Sequence, residues 1–404
     1  MDTARFKSLG GRLLTLCVFR ELLDDPVIKS VCELLNSSWD GTNTASLYCE
    51  FCSRLYKRNG GDIYGCVEQL VFDSENVYVR KIGKNMPPDE AVKKSLEREL
   101  LILGELCSLD SGELIAAIGC EYGLPGFISN SKSGDAGDLP AAYMHRLENI
   151  RKYGYGRYSH HPMFTIGEGG EILPVKNPDG IRLEELAEYE LQKNQILENT
   201  KALLEGRPAA NILLAGDAGT GKSSTIKAVA NELYPEGLRI IEVRKDQLGF
   251  IPGLLDELAE NPLCFILFID DLSFLSDDDD FNGLKAVLEG SVSARSRNVV
   301  VYATSNRRHI VRERFEDREG GEVHRNDAMQ EMISLSDRFG LHILFSRPDK
   351  KTYLSIVAKL CHSAGLDPDS PDIQAEAERF ALMRGGRSAR LARQFVDSLI
   401  AGQG

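Results

Sequence analysis

At 404 residues the chain is too long for one ordinary core, which points to two or more domains. With 42% hydrophobic and 27% charged residues its composition is that of a soluble globular protein, and no apolar run reaches the about 18 residues of a membrane-spanning helix. A net charge of −13 disfavours broad contact with nucleic-acid phosphates, which calls for clustered Lys and Arg.

The N-terminus mixes Arg5, Lys7, Arg12 and Arg20 with apolar stretches as short as Leu13 to Phe19. These are too interrupted for a secretory leader, so a cytoplasmic location off the membrane is expected. Nine cysteines at no regular spacing suit a reducing compartment. Cys49 and Cys52 form a C-x-x-C without the second half that a zinc site needs, and read as buried or free thiols. His160-His161 has no Cys or carboxylate pattern beside it and does not read as a metal pair.

Residues 1–152 are expected to form a mainly helical N-terminal domain. The clearest helix runs from Ala91 to Cys107, with Leu96, Leu100, Leu103 and Leu106 on one stripe. Alternation of Val77 and Val79 suggests a strand within Val67 to Ile82. Gly123 to Leu139, rich in Gly, Ser, Asp and Pro, reads as a loop. A hairpin and linker then occupy 153–180. There Gly154, Gly156, Gly167, Gly169 and Gly170 separate short apolar runs up to Pro174, and Asn177-Pro178-Asp179-Gly180 makes a turn. A helix over Leu183 to Glu205 opens the next domain, 181–348.

In that domain apolar runs alternate with helical stretches: Ile212 to Ala215, Arg239 to Val243, Phe265 to Ile269, Val299 to Ala303 and Leu341 to Phe345. Continuous apolar strands separated by helices predict an α/β fold, a doubly wound parallel sheet of five strands covered on both faces. Residues 349–404 carry only helical periodicity and are expected to form a helical lid.

The first of these strands runs into Gly216-Asp217-Ala218-Gly219-Thr220-Gly221-Lys222-Ser223, which meets G-x-x-x-x-G-K-[ST] at every defined position. Glycines let such a loop wrap with its backbone N–H groups turned toward a phosphate. Lys222 neutralises the β and γ oxygens, Ser223 offers a hydroxyl to magnesium, and the helix entered at Ser223-Ser224 adds its positive end. The strand Phe265 to Ile269 delivers Asp270 and Asp271 to the sheet edge where ligands bind. Asp270 is placed to hold magnesium, and Asp271 to orient or deprotonate an attacking water. Asn306, at the tip of a third strand, is placed beside the γ-phosphate. No Asn-Lys-x-Asp motif follows the loop, so the expected cofactors are ATP and Mg2+ rather than GTP.

Over about Leu183 to Ala401 this set resembles the AAA+ ATPase superfamily. The resemblance makes Gly216 to Ser223 the Walker A motif, Ile266 to Asp271 Walker B, and Asn306 sensor 1. It also makes Arg338, in Ser336-Asp337-Arg338-Phe339-Gly340, an arginine finger, and Arg390, with Arg387 as the alternative, sensor 2. An arginine finger acts on the neighbouring subunit's nucleotide, so a homo-oligomer is implied. More narrowly, runs such as Tyr189 to Lys193, Asp270 to Phe274 and Ala303 to His309, with Gly154-Tyr155-Gly156 ahead of the core, resemble a family of predicted bacterial AAA ATPases with no assigned function.

Two departures qualify the mechanism. Walker B ends Asp270-Asp271 where Asp-Glu is usual, which implies slow hydrolysis. Asp246 to Pro252 lacks the aromatic-glycine pore loop of protein-threading unfoldases, and Phe250 is expected to pack on the core. The function implied is an ATP-driven oligomer that remodels or loads a protein client. The alternative is a nucleotide-gated binding module with little turnover. Arg307, Arg308, His309, Arg312 and Arg314 form a local basic cluster suited to a neighbouring subunit, a partner or nucleic acid, and Asp277 to Asp280 reads as a solvated acidic loop.

Overall fold

The computed structural model describes residues 3–120, 123–129, 138–272, 288, 297–306, 338–367 and 371–402. The chain divides into two compact units, one up to His160 and one from His161 onward. The acidic run 277–280 and the basic cluster 307–314 lie outside the described residues.

The first unit is helical, running from α1 (Thr3–Leu13) to α9 (Ile150–Tyr153) among the described residues. Helix α6 (Glu90–Cys107) turns Leu96, Leu100, Leu103 and Leu106 into the core, as its apolar stripe requires. Glu99 on the same helix is fully buried, and its carboxylate accepts the backbone N–H groups of Cys17, Val18 and Phe19 at 2.8, 2.9 and 3.0 Å. Those bonds offset the cost of burying a charge.

Val77 and Val79 lie not in a strand but in helix α5 (Val77–Gly83). The buried Asn76 side chain caps that helix, accepting from the N–H groups of Tyr78 and Val79 at 3.0 Å each, and a cap of this kind outweighs a two-residue alternation. Cys49 and Cys52 sit one turn apart on α3 (Thr42–Asn59); burial pushes the Cys52 thiol up to about 11.

The second unit is built on a seven-stranded sheet: β1 (Met163–Ile166), β2 (Ile172–Pro174), β3 (Ile212–Gly216), β4 (Leu238–Glu242), β5 (Cys264–Ile269), β6 (Val299–Ser305) and β7 (Leu341–Phe345). Their spatial order is β2-β1-β4-β5-β6-β3-β7, parallel throughout except for the β1–β2 hairpin. The five apolar runs are β3 to β7. The hairpin adds two strands because β1 pairs with β4 from Met163↔Ile240 to Thr165↔Glu242, covering an edge that would otherwise be open. Both faces are covered, and every residue of β3 is buried.

The helix expected from Leu183 begins only at Glu190, as α10 (Glu190–Leu204), after a separate 3-10 turn at Leu183–Glu185. Left-handed backbone at Glu188 and Tyr189, with φ of 63° and 60°, breaks the helical path. Helices α11 (Lys222–Leu233) and α12 (Ile251–Ala259) follow in the same unit. Phe250 does not enter the core: it is 38% exposed and its ring lies against Gly170 of the hairpin turn.

Three further helices, α13 (Lys350–Ser363), α14 (Pro371–Met383) and α15 (Ala389–Gly402), close on their own small core of Tyr353, Ile356, Ala377, Ala392 and Phe395. No helix among the described residues is long and apolar enough to cross a membrane.

Candidate nucleotide-binding site

Parallel pairing places three strand tips side by side. The register Ile269↔Ala303 joins β5 to β6, and Ala215↔Ser305 joins β6 to β3. The residues that follow these strands, Asp270-Asp271, Asn306 and the glycine loop, therefore share one edge of the sheet, where ligands bind in open α/β folds.

The loop's backbone demands its glycines. Gly216 has φ of 146°, and a Cβ there would stand 2.0 Å from the Phe345 carbonyl oxygen of β7. Gly219 has φ of 79°, and its Cβ would meet that of Arg390 at 3.1 Å. Gly216→Ala is expected to cost about 2 kcal/mol or more from the backbone conformation alone, lowering the melting temperature by roughly 5 °C. A thermal melt unchanged from wild type would contradict the close approach of β7.

Lys222 is 5% exposed, and its ammonium donates to the carbonyls of Gly216 and Asp217 at 2.9 and 2.8 Å and to Asn306 Oδ1 at 2.9 Å. Burial lowers its pKa; Asp217, Asp270 and Asp271 act in the opposite sense, while the positive charge of Arg390 adds to the lowering. A phosphate brought to this spot would favour the charged form.

The hydroxyl of Ser223 donates to Asp270 Oδ1 at 2.6 Å. Asn306 Nδ2 donates to Asp271 Oδ1 at 2.8 Å, so lysine, amide and second carboxylate form one chain of contacts across β3, β6 and β5. Thr220 Oγ1 donates to the Asp217 carbonyl at 2.9 Å, Ala218 is exposed, and Ser224 is half-buried at the start of α11.

Asp271 has φ of 55°. Asp and Asn adopt this left-handed region more readily than longer side chains, which gives a local reason for aspartate at the second acidic position.

The two lid arginines part company. Arg390, in the first turn of α15, donates its backbone N–H to the Gly219 carbonyl at 3.1 Å, which brings it to the loop. Arg387 instead grips Glu378 of α14 through Nε and Nη2, at 2.8 Å each. Arg338 is not brought to the loop. It precedes β7 and, with Arg207 and Arg297, lines a cavity of about 730 Å³ at the opposite end of the sheet. The five-residue strand β3 alone separates the two ends by ~16 Å.

Two contributors were not singled out by motif. Thr304 of β6 donates to Asp270 Oδ1 at 2.6 Å; its signal is the two-residue spacing from Asn306, which puts both on one face. Arg347, after β7, pairs with Asp217 at 3.3 Å, and no sequence pattern announces it.

A mostly parallel sheet with a glycine-lysine loop after an inner strand, acidic residues at the tip of the strand two places along and a helical lid bonded to that loop defines the AAA+ class of P-loop folds. Within it, this chain belongs to the family described as Protein of unknown function (DUF815), whose model matches residues 159–403. Among solved structures, PCH-2 of C. elegans is similar at 17% identity with a TM-score of 0.39, over 55% of this chain and 66% of that one. The Aeropyrum pernix ORC1 protein, solved in complex with DNA, is similar at 16% identity with a TM-score of 0.40, over 54% of this chain and 61% of that one. The chain thus spans less than two thirds of the PCH-2 and ORC1 chains. No curated protein matches it.

Proposed function

We propose that this protein binds ATP with magnesium, hydrolyses it slowly, and works as a homo-oligomer that remodels or loads a protein partner. The observation that carries the reading is the convergence of Lys222, Ser223, Asp270, Asp271 and Asn306 through direct hydrogen bonds.

The donor set fits magnesium, a hard cation that takes hydroxyl and carboxylate oxygens: Ser223 Oγ and an Asp270 oxygen already lie 2.6 Å apart. Ser223 and Asp270 would hold the ion, which supplies neutralisation of charge on the β and γ oxygens when bound. The loop from Gly216 to Ser224 would wrap the phosphates, with Lys222 on the β and γ oxygens. Asp271 would accept the proton of the attacking water, and Asn306, already bonded to it, would orient that water. Arg390 would reach the same phosphates from the lid.

Arg338, at the far end of the sheet from its own loop, would serve a neighbouring subunit; arginine suits this because its planar fork stays charged. ATP is expected to raise the mass in solution, and Arg338→Ala to lower turnover by at least about 10²-fold while leaving ATP affinity unchanged. A monomer with and without ATP, lacking turnover, would end the oligomer reading.

One observation favours the second reading, a nucleotide-gated module with little turnover. The Asp271 side chain is short, and its Oδ1 already accepts a hydrogen bond from Asn306, which occupies a lone pair that a water would otherwise use. Wild-type protein that binds ATP and magnesium without measurable phosphate release would decide for the module.

A further inference from the structure

We propose that Thr304 is the positioning residue that fixes the Asp270 carboxylate and the backbone of Asp271 at the β5 tip, an inference that rests on the ATP–magnesium reading of the site. Three consecutive residues are tied to this one threonine. Its hydroxyl donates to Asp270 Oδ1 at 2.6 Å. The same oxygen accepts the backbone N–H of Asp271 at 2.9 Å. Its carbonyl accepts the N–H of Leu272 at 2.6 Å.

The ties matter because the β5 tip is not held by sheet pairing. The β5–β6 register ends at Ile269↔Ala303, and the chain then turns through left-handed backbone at Asp271. Beyond that pairing a loop end would otherwise wander, and the direction of both carboxylates with it. Thr304 is 2% exposed and sits within the fully buried run of β6, so its β-branched side chain is restricted at χ1. Ser223, the other donor to Asp270, is less buried and is itself assigned to the metal, so it cannot serve as a fixed hold. The threonine hydroxyl has a single proton: donating it to Asp270 leaves its lone pairs for Asp271, and the two bonds reinforce each other.

Thr304→Val keeps the shape and removes the hydroxyl, and Thr304→Ser restores it. Calorimetric titration with ATP in EDTA and in magnesium chloride separates phosphate binding from the magnesium-dependent gain in affinity. In the valine variant that gain is expected to fall roughly ten- to a hundredfold, with affinity in EDTA within about twofold of wild type, and serine is expected to recover most of it. Should valine unfold the protein, Thr304→Ala makes the same comparison. A valine variant that keeps the wild-type gain overturns the role of Thr304 while the nucleotide site stands. Equal losses with and without magnesium also overturn it, since they indicate a structural part only. Wild-type protein lacking any magnesium-dependent affinity for ATP overturns the site reading and this inference together.

Discussion

Lys222→Ala is expected to weaken binding of ATP with magnesium by on the order of 10²-fold or more, and to take turnover with it. Lys222 is 5% exposed and its ammonium donates to three oxygens, two from the loop and one from Asn306 just after β6. Its removal strips a buried charge from the loop proposed to hold the phosphates, and it unties Asn306 from that loop. Charge-assisted bonds in such surroundings are worth more than surface pairs, which sets the size of the loss. Calorimetric titration of the variant measures it, and an ATP affinity within about threefold of wild type would refute the role given to the lysine. Circular dichroism of the same sample guards against misfolding: the strand β3 and the helix α11 that flank the loop have their own buried core, so the spectrum is expected to hold.

Asp271→Asn is expected to separate binding from hydrolysis. Phosphate release should fall by on the order of 10²-fold or more, the usual scale of a lost general base, while ATP affinity stays within about threefold. Asparagine suits this test because it tolerates the left-handed backbone at φ of 55° and its Oδ1 can still accept from Asn306. The variant should then persist in its ATP-bound state, making it the bait of choice for a partner. If release continues at the wild-type rate, Asp271 is not the group that takes the proton.

The position of the glycine loop and of the acidic pair at a strand tip could be read along the chain because the pattern is local. Phosphate binding at a tight loop requires glycines at fixed intervals, a lysine and a hydroxyl within eight consecutive residues, Gly216 to Ser223, and buried parallel strands require continuous apolar runs. Helix stripes of the α6 kind are legible for the same reason. The Val77-Val79 alternation misled because two residues carry little periodic information, whereas the cap at Asn76 acts through hydrogen bonds that a pattern does not display.

What the tertiary structure decided lies between segments far apart in the chain. Only the folded sheet puts the β1–β2 hairpin on the edge of β4. It also sends Arg390 to the loop while Arg387 is spent on Glu378, and strands Arg338 at the sheet's other end. Thr304 gained its place against Asp270, 34 residues earlier, through the β5–β6 register alone. Spacing along the backbone specifies which groups a short loop presents; the pairing of strands, which no local pattern encodes, specifies which distant side chains those groups will meet.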